Sequence, residues 1–362
     1  MFKRMRFMLV IALVMGFAVQ AQADLRARLG DLLAEFAQEG TSPAIVASVA
    51  YEGGTRVVSA AHGRVDVTRD VLASPQDRFR IASISKTFLA ATLLLLEEDG
   101  VLSLEDGLDD WLDASVYERL PNADEVTLYH LVTMRSGIPD YLDDAFLEVV
   151  LENPTRVWTA EDVLVYAYDD NPEFAPDERF DYSNTNYILL HLVIESATGQ
   201  TLAEVFRERI FTPLGMNNTY THISETLPGG FVRGYEDVYG TGTAEDVSDV
   251  NDGAGLGDGG LVSTTEDLVR FFSALLIDQT LLSEDCLTAM LTPSDEQSEY
   301  GMGIEIRQDP NIGTVYGHTG GVLGFSGAAF YASELDVLAV ILYAYQGLEE
   351  EHLETLFNLT AE

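Results

Sequence analysis

Five stretches of the chain read as strands from their apolar and β-branched content: residues 44–51, 56–61, 301–306, 327–332 and 337–342. They fall at the two ends of the chain, and amphipathic patterns at residues 25–37 and 348–359 predict a helix beside each group. Helical and loop segments fill the middle. Two of the middle helices are apolar nearly all round. One begins in Ile81-Ala82-Ser83-Ile84-Ser85-Lys86-Thr87-Phe88, continues through four leucines at 93–96 and stops at Gly100, and the other covers residues 188–195 and stops at Gly199. A helix with no polar face is a buried one, and glycine is the residue that most readily closes it. Strands at both ends have to meet in one sheet, which makes the middle an insertion and the whole an α/β protein of the α+β type.

The first 23 residues have a different character. Lys3, Arg4 and Arg6 precede an apolar run at residues 7–19, and Ala21-Gln22-Ala23 offers a small-x-small cleavage pattern before Asp24. The run is shorter than the about 20 residues that a membrane span needs. The expectation is a signal peptide over residues 1–23, cleaved after Ala23, and a periplasmic or secreted protein without stable membrane insertion. The single cysteine, Cys286, supplies neither a disulfide nor a lipidation site beside the cleavage point.

With 362 residues, 47% hydrophobic and 22% charged, the chain is composed as a globular protein and not as a disordered, collagenous or coiled-coil one. It has 60 acidic against 20 basic side chains, and loss of the first 23 residues takes three basic and no acidic groups, leaving a net charge of −43. Nucleic acid is excluded as a partner, and the excess reads as a solvated surface suited to salty surroundings. A monomer is expected. The chain has two lysines, Lys3 and Lys86, so Lys86 is the only one of the mature protein.

Lys86 stands three residues after Ser83, so both point from one face of the buried helix's first turn. Burial and the positive end of the helix dipole both work against its charged form. A serine nucleophile requires such a base, because a lysine with the ordinary pKa of about 10.4 is neutral roughly once in a few thousand molecules at pH 7. Arginine stays protonated and could not serve. The Ser-x-x-Lys pattern alone is common, and a capping serine beside a snorkelling lysine would also produce it. Two more segments bear on the choice. Tyr182-Ser183-Asn184 lies at the mouth of the second buried helix, where it either presents a phenol and an amide to a cleft or forms a turn with Asn184 as cap. Tyr316-Gly317-His318-Thr319-Gly320-Gly321 opens a glycine-rich strand edge that a substrate backbone can approach closely. The Asp-rich loop at 245–258 lacks the spacing of a calcium loop and no zinc motif is present, so no metal or other cofactor is expected.

In this order the three segments resemble the motifs of the penicillin-recognising serine hydrolases, the superfamily of class C β-lactamases and D-alanyl-D-alanine carboxypeptidases. Leu131-Val132-Thr133-Met134-Arg135-Ser136-Gly137-Ile138-Pro139, Phe211-Thr212-Pro213-Leu214-Gly215-Met216, Gly259-Gly260-Leu261-Val262-Ser263-Thr264 and Gly324-Phe325-Ser326 look like further stretches of that family. The likeness covers essentially the whole mature chain. It implies the β-lactamase/DD-peptidase-like fold, an antiparallel β-sheet flanked by terminal helices with an inserted, mostly helical lobe and a cleft between them. The sheet lobe is then expected from about 24–82 and 295–362, and the helical lobe from about 83–294. The resemblance also implies roles. Ser83 is the nucleophile, Lys86 its base partner, Tyr182 the proton relay and Asn184 a hydrogen-bonder in the cleft. His318, Thr319, Gly320 and Gly321 form the substrate-binding strand edge, with His318 where many relatives have lysine. The backbone N–H groups of Ser83 and Gly321 would form the oxyanion hole, and the reaction would be two-step acyl transfer through an ester on Ser83, completed by water.

The substrate implied is a small peptide, a β-lactam or an ester. Tyr-Ser-Asn with His-Thr-Gly resembles the carboxypeptidase and esterase branches more than the class C β-lactamases, which favours a D-alanyl-D-alanine carboxypeptidase-like peptidase acting on D-amino-acid peptides. The alternatives are a class C-like β-lactamase, an esterase or D-aminopeptidase of the same family, and a non-catalytic penicillin-binding protein. Glu305 bears on this choice. It stands where a carboxylate-binding arginine is expected, shares a strand face with Arg307, and as a substrate-binding residue would repel a terminal carboxylate or receive an amino group.

Overall fold

The computed structural model describes residues 2–39, 42–294, 299–348 and 352–360. Residues 295–298, at the expected start of the second sheet-lobe segment, and 349–351, within the helix predicted at 348–359, lie outside the described residues.

Six long strands form one antiparallel sheet: β1 (Ala44–Tyr51), β2 (Arg56–Gly63), β3 (Glu305–Asp309), β4 (Gly313–Val322), β5 (Phe325–Ala332) and β6 (Val337–Tyr343). Their order is β2-β1-β6-β5-β4-β3, so the two ends of the chain join where Ile45 lies opposite Tyr343. β1 and β6 are buried at every position because both faces of the sheet are covered. Ile45, Ala47, Val49, Ala339 and Ile341 pack with Leu29, Leu33 and Phe36 of helix α1 (Phe2–Glu39), and with Leu353 and Leu356 of the last helix. The alternate residues Val46, Ala50, Leu338, Val340 and Leu342 join the core of the helical part. This two-residue alternation explains why the strands read as unbroken apolar runs: each face meets its own hydrophobic partner.

α1 runs through the expected cleavage point as one helix; Gln22 donates to the Val57 carbonyl of β2 at 3.0 Å, and the buried apolar contacts with the sheet come from Leu29, Leu33 and Phe36. No helix among the described residues is long and apolar enough to cross a membrane. α2 (Ser85–Glu98) and α3 (Asn184–Thr198) are the two all-apolar helices, and Gly199 closes α3 in the left-handed conformation at φ +67. Phe88 of α2 stacks on Phe271 with centroids 3.7 Å apart, which leaves no room for a polar face there.

Two strand assignments differ from the pattern reading. Of residues 301–306 only Glu305 and Ile306 enter a strand, because Gly303 turns with φ +65 and lies directly on α2, where a Cβ would come 2.8 Å from the Lys86 carbonyl. β4 extends well beyond the motif at 316–321, pairing with β5 from Val315 to Val322. Its glycines lower its intrinsic strand preference, and the pairing on β5 overrides that.

Candidate active site

The chain enters the site from the short strand Phe79–Arg80, held against Leu261–Ser263, and turns through a 3₁₀ segment at Ala82–Ile84 into α2. Ala82 sits at φ +47, a conformation that costs a residue with a side chain about 1–3 kcal/mol and marks a backbone held by its surroundings. Those surroundings include β4. A Cβ on Gly320 would lie 2.3 Å from the Ile81 carbonyl and 3.2 Å from the Ser83 nitrogen, so only glycine lets the strand edge come this close to the turn. β3 pairs with β4 only as far as Gly317, which leaves residues 318–322 as an open edge facing Ser83. Thr319 sends its N–H outward along that edge, to Glu305, and by strand alternation Gly321 presents its N–H on the same side, towards Ser83.

Lys86 is fully buried and its Nζ makes three contacts: Ser83 Oγ at 3.0 Å, Asn184 Oδ1 at 2.7 Å and the Asp258 carbonyl at 2.6 Å. Three acceptors suit an ammonium. After loss of one proton the two remaining N–H groups can stay on Asn184 and Asp258, and the lone pair then points at Ser83. Burial pushes the Lys86 pKa down to about 8, against the opposing charges of Asp258 and Asp140. At pH 7 that leaves about one molecule in ten with a neutral amine. Tyr182 shows the opposite behaviour. Desolvation raises its phenol well above the ordinary value despite a hydrogen bond with Ser83, while 36% of the residue remains open to the cleft. Between the two, Lys86 is the group able to take a proton at neutral pH, and Tyr182 is the one that carries its proton throughout that range.

Asn184 is fixed from behind. Its backbone N–H donates to Asp140 at 3.0 Å and its Nδ2 donates to the same carboxylate at 2.8 Å, so its amide oxygen must face Lys86. The site thus uses Asn184 both as the first residue of α3 and as a ligand of Lys86. His318 is buried, which lowers its pKa, and its Nδ1 donates to the Thr319 carbonyl at 2.6 Å. Its Nε2 lies 3.1 Å from the Tyr300 hydroxyl. Burial disfavours the imidazolium and the neighbouring Glu305 favours it. Glu305 accepts from both the Thr319 N–H at 2.7 Å and its Oγ at 2.6 Å, and pairs with Arg307 through the other oxygen. Burial alone would raise its pKa, and His318, Arg307 and the Thr319 donors outweigh that and hold it below the ordinary value.

Three further residues of the site carry no motif. Asp140 directly follows Ser136-Gly137-Ile138-Pro139, Asp258 directly precedes Gly259-Gly260, and Tyr300 precedes the Gly301 turn. The acidic excess reads as solvated surface, yet Asp258 of the Asp-rich loop is buried and Asp252 keeps only 9% of its side chain exposed. Their place beside the family-like stretches was the available signal. Among the described residues no group of three or more His, Cys, Asp or Glu is placed to hold a metal ion.

The pKa of Lys86 makes a prediction. With a p-nitrophenyl ester that has no ionisable group, kcat/KM is expected to rise with pH along a limb centred near 8, because the amine must be neutral to accept the Ser83 proton. A profile flat from pH 6 to 9 would assign the base elsewhere.

A family model described as Beta-lactamase matches residues 29–359. Penicillin-binding protein 4* of Bacillus subtilis is 31% identical over 294 residues, covering 77% of this chain and 63% of its own length. A D-aminopeptidase of Cereibacter sphaeroides is 28% identical over 316 residues, covering 84% of this chain and 57% of its own. The chain therefore spans less than two thirds of either curated relative. Among solved structures, a D-stereospecific amidohydrolase from Streptomyces sp. superposes with a TM-score of 0.76 at 27% identity, covering 90% of this chain and 94% of that one.

Proposed function

The chain belongs to the β-lactamase family of serine hydrolases, and from that premise we propose that it hydrolyses amide bonds of D-amino-acid derivatives whose leaving group carries no carboxylate. The observation that carries this reading is the occupation of the Thr319 donors. A substrate's terminal carboxylate would need the N–H and hydroxyl of Thr319 or a nearby cation, and Glu305 holds both Thr319 donors and Arg307 already. Glu299 and Glu305 line the cavity of about 400 Å³ in front of Ser83, and among the described residues no Lys or Arg lines it. A negative wall repels an anionic leaving group. Similarity to a D-aminopeptidase and to a D-stereospecific amidohydrolase supports an amide with a D-centre.

In the reaction so proposed, Lys86 takes the Ser83 proton as Oγ attacks the carbonyl carbon. The Ser83 and Gly321 N–H groups hold the developing oxyanion. The carbon–nitrogen bond breaks as Tyr182 passes a proton to the leaving amine, and the proton held by Lys86 restores the phenol. Water then attacks the ester on Ser83 through the same groups in reverse order.

The test compares D-alaninamide with a D-Ala-D-Ala peptide. Faster turnover of the amide is expected, and faster turnover of the peptide contradicts the reading. Glu305→Ala should raise the peptide's kcat/KM relative to the amide's by roughly ten- to hundredfold, the worth of a charge-assisted hydrogen bond at about 1.5–3 kcal/mol. An unchanged ratio in this variant would remove Glu305 from substrate choice. A penicillin-binding carboxypeptidase is the second reading, favoured by the 31% identical relative, and a long-lived penicillin adduct together with rapid peptide turnover would establish it. The N-terminal pattern supports export, for which an N-terminus at Asp24 in protein recovered outside the cytoplasm is the expected finding.

A further inference from the structure

Two cavities meet at Ser83 and Gly321. The larger, about 400 Å³, contains Tyr182, and the smaller, about 50 Å³, contains Arg80, Asn184, Asp252 and Asp258. An acyl carbon bonded to Ser83 Oγ has two substituents to house, and the departing atom must come within reach of the proton on Tyr182. Tyr182 lines only the larger cavity. The leaving group therefore takes that one, and the acyl group takes the smaller.

The charged groups of the smaller cavity are mostly engaged. Arg80, 6% exposed, lies 3.5 Å from Asp252, donates to the Ser248 carbonyl at 3.1 Å and faces the rings of Phe231 and Phe325. His222 is neutral, pushed down to about 4 by burial and by Arg80. The Nε and Nη1 of Arg80 have no hydrogen-bond partner among the described residues, but its charge is paired with Asp252, and Asp258 is the anion of the cavity with an oxygen left open. It is 6% exposed, and its Oδ2 accepts the Tyr141 hydroxyl at 2.8 Å, but its Oδ1 has no hydrogen-bond partner among the described residues. An unpaired oxygen on a buried carboxylate costs free energy that a donor from a ligand recovers.

We infer that Asp258 receives the free α-ammonium group of the substrate's N-terminal residue, so that the smaller cavity selects unblocked aminoacyl groups with a short side chain. This rests on amide hydrolysis at Ser83 and adds the identity of the acyl group. It also couples binding to catalysis. Asp258 faces Lys86, with Asp140, Tyr141, His191 and the Arg80 and Asp252 pair around it. An ammonium on Oδ1 offsets the negative charge that favours protonated Lys86, so the bound substrate helps to free its own base.

The probes are D-alaninamide, whose methyl group suits the small cavity, and N-acetyl-D-alaninamide, which has no ammonium. The wild-type protein is expected to prefer D-alaninamide at least tenfold in kcat/KM, and its kcat should reach half-maximum at a lower pH than with the acetylated amide. Asp258→Asn, which keeps the shape and the backbone carbonyl, should abolish the preference. Tyr141→Phe, which drops the contact to Oδ2 and keeps the charge, should retain it. Equal wild-type turnover of the two amides overturns the inference while amide hydrolysis stands, as does an Asp258→Asn protein with the preference intact. Hydrolysis of a D-Ala-D-Ala peptide with neither amide touched overturns both readings together. The wild-type comparison decides the matter even if neither variant folds.

Discussion

Ser83→Ala is expected to reduce hydrolysis by about 10⁴-fold or more and to leave the melting temperature nearly unchanged. The substitution removes the oxygen that lies both on Lys86 at 3.0 Å and at the junction of the two cavities. The fold loses little, because the turn is held by Gly320, by the Leu261–Ser263 strand and by α2, none of which uses the hydroxyl. Ser85 and Ser136 are the controls. Ser85 accepts from the Leu261 N–H and Ser136 from the Ile138 N–H, so their loss costs stability before it costs chemistry. Initial rates together with thermal melts of the three alanine variants separate these outcomes. Near-normal turnover in Ser83→Ala would take the reaction away from this site altogether.

Lys86→Arg is expected to be nearly as inactive as Lys86→Ala, each by about a hundredfold or more. The reason is the count of bonds at Nζ. A lysine amine can give two N–H groups to Asn184 and Asp258 and keep a lone pair for Ser83, whereas a guanidinium has only donors and stays charged. If Lys86 acted only as a positive charge, arginine would restore much of the rate. Single-turnover rates with an activated ester distinguish the two. A Lys86→Arg protein within about tenfold of wild type would mean that Tyr182, not Lys86, accepts the proton. Arginine is also larger than the space that Asn184 and the Asp258 carbonyl leave, so melting curves should accompany the rates.

The fold was legible because the strands at the two ends of the chain are buried on both faces and so have no polar alternation to confuse them with surface strands. β1 and β6 are the clear cases, since each residue meets either α1 and the last helix or the core around α2. Legibility fell where glycine replaced side chains as the means of packing. Gly303 and Gly320 each bring backbone against the turn and helix that carry Ser83 and Lys86, and such close approach has no hydrophobic signature. Within the site, residues with distinctive chemistry stood out and residues that act on them from behind did not. Lys86 was conspicuous as the only lysine outside the first segment. Asp140 and Asp258 are two carboxylates among 60 acidic residues, and only their place beside Asn184 and Lys86 sets them apart. Glu305 illustrates the intermediate case. Alternation places it beside Arg307, but its hold on both Thr319 donors depends on where β3 ends against β4, which no local pattern encodes.

The proposed reaction depends on a covalent ester on Ser83. The most direct test is rapid acid quench within seconds of mixing the wild-type protein with D-alanine p-nitrophenyl ester, followed by intact mass and peptide mapping. A mass increase of one D-alanyl group is expected on the peptide that contains Ser83, formed before steady-state turnover and absent from Ser83→Ala. Turnover of the ester with the acyl group on another residue, or with Ser83→Ala acylated as fast as the wild type, would contradict that reaction.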